Sequence, residues 1–331
     1  MRAPAFWSNP DSPAARLLSP IGTLVGAVTL ARMARTGEQA PVPLVCIGNP
    51  TVGGAGKSPA ARLLADRLAA RGQRPAVLLR GHGGRLAGPL LVDPEQHGAG
   101  DVGDEALVHA RHHRTVVARD RPAGVRLAAG AGADIVVMDD GFQNPSLAKD
   151  LSILVVDGPV GLGNGCVLPA GPLRAPFIPQ MRRADALLVI GEGEAGEALA
   201  DAARRLGKVV LHATLAPDPA VVGPLAGRDV LAFCGIGRPS KFAETLGAAG
   251  LRSVLLRPFA DHHVYSDADA ERLLAEQRRT GLPLLTTEKD AVKLTGSPAL
   301  AALAAASIVV PATLDLTDPE PLEALIARLR I

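Results

Sequence analysis

The chain has 331 residues, 47% hydrophobic and 21% charged, with a formal net charge of +2. That length and composition suit a globular protein of about two domains, and near-neutral charge with 2% aromatics argues against a general nucleic-acid binder, which needs a basic face and stacking platforms. Cys46, Cys166 and Cys234 lie far apart, with neither metal-ligand spacing nor a disulfide framework, so a reducing compartment is expected.

The first element is apolar. Leu17, Leu18, Ile21, Leu24, Val25, Val28 and Leu30 are flanked by Arg16, Arg32 and Arg35. The run falls short of the roughly 20 apolar residues of a membrane span, Pro20 and Gly22 interrupt it, and no cleavage site follows. Phe6 and Trp7 precede it, and the basic flanks suit anionic headgroups. Two readings stand: a helix packed on the core, or a segment docked on a lipid surface.

Residues 44–47 read as a buried strand, 48–56 as a glycine-rich turn, and 58–71 as a helix with Leu63, Leu64, Leu68 and Ala69 at three- and four-residue steps. Strand, loop, Gly56-Lys57-Ser58 and helix form a phosphate-binding P-loop. Gly53, Gly54 and Gly56 let the backbone approach a ligand, so that successive N–H groups of Thr51, Val52, Ala55 and their glycine neighbours can face phosphate oxygens. Lys57 supplies a charge for the terminal phosphates and Ser58 a hydroxyl for Mg²⁺. The usual first glycine of the motif is replaced by Thr51.

A second strand at 75–79 runs into the basic loop Arg80-Gly81-His82-Gly83-Gly84-Arg85, and in a parallel sheet such a loop borders the ligand. Gly103-Asp104-Glu105 precedes a helix at 106–113. The two carboxylates are either helix-dipole partners, or a metal ligand and a general base for a hydroxyl nucleophile. A strand at 115–118 and a helix ending at Gly130 lead to the apolar strand 134–138, which closes in Asp139-Asp140-Gly141-Phe142-Gln143. An apolar strand ending in Asp is the Walker-B form, whose carboxylate reaches the Mg²⁺ shell of a nucleotide.

After the strand 152–156 comes a long Gly/Pro-punctuated loop, 161–176, of the kind that carries function in compact domains. Its Arg174 is a candidate phosphate clamp. The strand 186–190 completes a series alternating with helices, as in a parallel α/β sheet.

A strand at 209–213 follows, and Pro217, Pro219 and Pro224 mark a break. Beyond it a second α/β unit is expected, with strands at 230–233, 253–256, 282–285 and 308–311 and helices at 241–249, 267–277 and 320–329. Gly235-Ile236-Gly237 is too short for a dinucleotide site. His262-His263 lacks the partner spacing of a zinc site and is better placed to orient a carboxylate or cap a turn.

The expected architecture is therefore α/β: a P-loop NTPase-like, mostly parallel sheet flanked by helices, with a second, smaller α/β domain. Residues 1–37 form the docking segment, 38–215 the P-loop domain and 216–331 the C-terminal domain closing over the site. At this point the residues resemble the tetraacyldisaccharide 4'-kinase family of lipid A biosynthesis. The pieces are Phe6-Trp7, Gly48-Asn49, residues 51–59, Arg80-Gly81, Gly103-Asp104-Glu105, residues 139–143, Gly163-Asn164-Gly165, residues 168–174, Gly235-Ile236-Gly237 with Pro239, Asp261-His262-His263 and residues 286–290. Their order along the chain is far more specific than any one of them, and Thr51 fits the family's own loop. Ser58, His82 and Ala175 stand where the family usually has Thr, Tyr and Glu.

The resemblance implies ATP- and Mg²⁺-dependent phosphorylation of the 4'-hydroxyl of an acylated glucosamine disaccharide 1-phosphate, at the cytoplasmic face of the inner membrane of a Gram-negative bacterium. It gives Asp104 the role of base, oriented by His262 (with His263 the other candidate). Lys57 and Arg174 steady the phosphoryl group, Gln143 orders the site, and Ser58, Glu105 and Asp139 or Asp140 hold Mg²⁺, directly or through water. It calls for the inner-membrane lipid surface as a partner, and for no nucleic acid or obligate protein partner. Another P-loop kinase or ligase is the first alternative. The second is a membrane-associated regulatory or partitioning ATPase, against which Val52 speaks, because that class carries Lys at this place.

Overall fold

The computed structural model describes residues 4–329. Nine strands form the larger sheet: β1 (Leu44–Gly48), β2 (Pro75–Leu79), β3 (Leu90–Leu91), β4 (Arg114–Val117), β5 (Ile135–Asp139), β6 (Leu151–Asp157), β7 (Ala186–Ile190), β8 (Val209–Pro217) and, from the far end of the chain, Ala312–Leu316. The smaller sheet holds β9 (Asp229–Cys234), β10 (Ser253–Pro258), β11 (Leu284–Thr287) and β12 (Ser307–Val310), so Ala312–Leu316 is β13. The orders are β13-β8-β7-β6-β1-β5-β2-β4-β3 and β10-β9-β11-β12, parallel throughout except at the β3–β4 and β13–β8 edges.

The central strands are short and apolar because both their faces are covered. In β1, Val45 and Ile47 face the core under the helix Lys57–Ala70, whereas Leu44 and Cys46 face the opposite core, with Val125 and Met181. One alternating strand thus serves two layers. The chain runs from β1 toward β2 on one side and β6 toward β8 on the other, so the loop after β1 leaves the sheet where strand order reverses, the usual ligand position in such sheets.

Two expectations are corrected. The C-terminal domain does not extend from 216 to 331. β13 pairs antiparallel with β8, from Ala312↔Pro217 to Leu316↔Ala213, and the helix Glu320–Ile326 buries Leu322, Leu325 and Ile326 in the core of the larger domain. Pro311 alone separates β12 from β13, so the two strands merge in the sequence pattern. The second domain is therefore an insertion, leaving by β8 and returning by β13.

The N-terminal segment is also longer than expected. Pro13–Met33 is one helix of 21 residues, capped by Ser12 and continuous through Pro20. Pro20 lies on the exposed side, where water can take the carbonyl that its ring leaves unpaired. Gly22 and Gly26 are buried on the opposite side; a Cβ at Gly22 would stand 2.5 Å from Val167 O, so only glycine allows this approach to the loop 161–176. By length and composition this is the one helix among the described residues able to cross a membrane.

Candidate active site

The P-loop is shaped by two left-handed glycines, Gly53 (φ 112°) and Gly56 (φ 90°). At Gly56 a Cβ would also stand 2.5 Å from Ile190 Cδ1. Gly56 caps the helix Lys57–Ala70 without a side chain, so the first N–H groups of that helix are not taken by a capping side chain. Lys57 folds back over its own loop, with Nζ 3.3 Å from Gly53 O and 3.9 Å from Asp140 Oδ2. Fully buried Asn49 donates to the same Gly53 carbonyl at 3.3 Å. Thr51 is not among the positive-φ residues and bridges Leu173 as an antiparallel pair, so no glycine is required there.

The long loop 161–176 is sewn to this P-loop and to the N-terminus. Val52 N donates to Pro172 O and Arg174 N to Pro50 O, both at 2.8 Å, while Trp7 Nε1 donates to Pro169 O at 3.1 Å. Arg174 is thereby held over the site. Its Nε donates to Thr51 O at 3.1 Å, Nη1 to Gln143 Oε1 at 3.2 Å, and both arms face the Asp140 carboxylate at 2.9 Å. Gln143 in turn donates to Asn49 O and to Gln180 Oε1, each at 2.9 Å.

The two aspartates expected at the end of β5 separate into different environments. Asp140, at φ 56°, turns to Arg174 and Lys57. Asp139 is buried; its Oδ2 lies 3.2 Å from His109 Nε2 and its Oδ1 has no hydrogen-bond partner. Burial opposes ionisation of Asp139, but the His109 hydrogen bond, the Lys57 charge and the Ser58 hydroxyl outweigh it and hold the carboxyl below its usual range. No group of three His, Cys, Asp or Glu capable of holding a metal occurs among the described residues. A nucleotide-borne Mg²⁺ asks for less, since it retains waters and phosphates and takes one or two protein oxygens. Ser58 and the unpartnered Asp139 Oδ1 fit that demand. The Glu105 carboxylate is paired with Lys289 of the second domain.

The second domain contributes from the other side. Asp104 opens the helix Asp104–Ala110 and is buried, with Oδ2 2.9 Å from His262 Nδ1 and Oδ1 accepting from Glu105 N at 2.9 Å. His262 sits at φ 55° after β10, its N–H donating to Gly235 O at 3.1 Å. Buried Asp290 fixes that loop by accepting from Gly235 N and Tyr265 Oη, both at 2.9 Å. His263 points elsewhere, to Asp269 at 3.1 Å. Burial would raise the Asp104 pKa, yet the His262 hydrogen bond and the Lys289 and Lys293 charges bring it below the usual value. The same hydrogen bond raises that of His262.

Further ionic contacts flank this pair: Arg62 to Glu288 at 3.0 Å, His112 to Glu288 at 3.1 Å and, on the other side of the cleft, Asp157 to Arg238 at 3.1 Å and to Lys241 at 2.7 Å. His109 and the Asp157 cluster were not foreseen from the sequence. A histidine set between Val108 and Ala110 in a short helix was the available signal for the first; nothing local marks the second.

Residues 14–330 match the family described as Tetraacyldisaccharide-1-P 4'-kinase. The chain is 57% identical over 322 residues to the tetraacyldisaccharide 4'-kinase of Azorhizobium caulinodans, covering 97% of this chain and 95% of that protein. To the enzyme of the same name from Xanthobacter autotrophicus it is 54% identical over 333 residues, covering 99% and 97%. The crystal structure of LpxK from Aquifex aeolicus in complex with ATP superposes with a TM-score of 0.72 at 26% identity, covering 95% of this chain and 98% of that one. The chain belongs to the tetraacyldisaccharide 4'-kinase family.

Proposed function

We propose that the protein transfers the γ-phosphoryl group of ATP to the 4'-hydroxyl of a tetraacyldisaccharide 1-phosphate, the lipid A precursor, giving lipid IVA. In this reading the P-loop backbone from Thr51 to Gly56 cradles the phosphates. Lys57 and Arg174 carry charge to the phosphoryl group in flight, and Asp140 and Gln143 hold Arg174 in place. Ser58 and Asp139 would hold Mg²⁺; when bound, the ion neutralises charge on the β- and γ-phosphate oxygens. Asp104 accepts the proton of the attacking hydroxyl, oriented by His262, and ADP departs with the electrons of the broken P–O bond. Phosphoryl transfer requires chiefly positioning and charge, which this inventory supplies.

The observation that carries the reading is the Asp104–His262 contact at 2.9 Å, which joins the two domains over the P-loop side of the sheet. A carboxylate placed to take the proton of a sugar hydroxyl is what a kinase with an alcohol acceptor needs. An acylated acceptor also accounts for the exposed stripe Leu17, Ile21, Leu24 and Val28 on the N-terminal helix. With its glycine face bound to the protein body, that helix lies on the membrane instead of crossing it, at the cytoplasmic face of the inner membrane of a Gram-negative bacterium. Incubation with γ-labelled ATP and acylated or deacylated disaccharide 1-phosphate tests the reading: label is expected in the acylated acceptor. Transfer to soluble metabolites alone refutes it, and ATP hydrolysis without a phosphorylated product favours the ATPase.

A further inference from the structure

We propose that His109 is a positioning residue, which holds one oxygen of Asp139 so that the other is presented to the cation of the nucleotide. The inference rests on the kinase reading above and extends it to a residue with no assigned role. His109 lies in the helix Asp104–Ala110 and is 1% exposed. Apart from Asp104, the other buried side chains of this helix, Ala106 and Leu107, belong to the apolar core under the sheet. A ring that served only to fill this space would be better replaced by a hydrocarbon, because burying an imidazole there is unfavourable unless it is hydrogen-bonded.

One contact provides that bond, Nε2 to Asp139 Oδ2 at 3.2 Å. The other ring nitrogen, Nδ1, is buried without a partner, and because an ionised carboxylate only accepts, Nε2 directs its N–H at Asp139. Taking Oδ2 fixes the plane of the carboxylate. Oδ1 is left buried and without a hydrogen-bond partner. A buried carboxylate oxygen with no donor is unfavourable as it stands and is satisfied by a cation. Residues that orient a ligating group in this way govern affinity for the ion while never touching it.

The arrangement also gives one short helix two duties. Asp104, at its start, faces the second domain, and His109, in its last turn, faces β5. The proton acceptor and the cation-facing carboxylate are therefore set by a single rigid element.

The test is calorimetric titration of the full-length protein with ATP, in Mg²⁺ and in EDTA. Wild type is expected to gain affinity from Mg²⁺. His109→Leu should lower affinity for Mg²⁺-ATP about 10–100-fold while leaving affinity for metal-free ATP unchanged. His109→Gln, whose Nε2 reaches about as far as the imidazole Nε2, should recover most of the loss. His109→Met, flexible enough to fill the same space, replaces the leucine variant should that fail to fold. An apolar variant with the full wild-type gain from Mg²⁺ overturns the assignment, as does a folded glutamine variant that loses as much as the apolar one. Wild-type protein that gains nothing from Mg²⁺ overturns the assignment as well, whereas the kinase reading is decided separately by the labelled-transfer assay above.

Discussion

Replacing Asp104 by Asn keeps the shape of the side chain and removes the charge that takes the sugar hydroxyl proton. General-base catalysis contributes about 10²–10⁴-fold, or about 3–5 kcal/mol of barrier, and Asp104→Asn should lose most of it. His262→Ala should cost less. A hydrogen bond to a charged group contributes about 1.5–3 kcal/mol, but the imidazole is 44% exposed. Screening then leaves about 1–2 kcal/mol, or a roughly 5–30-fold fall in rate. Because His262 acts through Asp104, the double variant should match Asp104→Asn to within about 0.5 kcal/mol.

The assay is single-turnover transfer from labelled ATP, with the ATP dissociation constant measured on the same samples. Losses that multiply in the double variant refute the linkage, and an equal loss of ATP affinity in Asp104→Asn makes Asp104 a metal ligand instead of a base. The pH profile checks the same pair. Asp104 titrates below its ordinary value of 3.8, so its contribution is present above that value and is lost as pH falls through the depressed pKa. His262 titrates above its ordinary 6.5, so its contribution is present below 6.5 and lost as pH rises through the raised pKa. Wild type should show an alkaline limb above 6.5 that His262→Ala lacks.

Lys57→Ala removes the cation that lies against Gly53 O and should abolish transfer; a fully active variant refutes the P-loop assignment. Leu17→Glu with Leu24→Glu should leave the melting temperature near wild type, since these side chains are 80% and 65% exposed. At about 1.5–3 kcal/mol per buried leucine, the pair should weaken flotation with anionic vesicles by at least about a hundredfold, and unchanged flotation removes this helix as the docking element. Asp157→Ala leaves Arg238 and Lys241 without their shared carboxylate, so the second domain should swing outward. A larger radius of gyration by small-angle scattering is expected, and an unchanged value shows that the Asp104 side alone holds the domains together.

What could be read along the chain was what is local. The P-loop lies within residues 44–70 as strand, loop and helix in immediate succession, and its chemistry follows from residue type: glycine for positive φ, lysine for charge, serine for a hydroxyl. The alternation of apolar strands with helices likewise announced a parallel sheet, because only strands covered on both faces are so uniformly apolar. Tertiary structure decided the rest. His262 meets Asp104 across 158 positions, and Asp139 meets His109 across 30. No periodicity encodes such distances: the first arises only when the second domain docks on the larger one, and the second when the helix Asp104–Ala110 packs on the larger sheet beside β5. The same holds for the partner of Glu105: the fold brings Lys289 to it from the second domain, 184 positions away. β13 shows the limit most plainly. Its residues read as the end of the second domain, and only pairing with β8 carries them back to the first, because a strand's partner is chosen by the edge left open in space and not by its own composition.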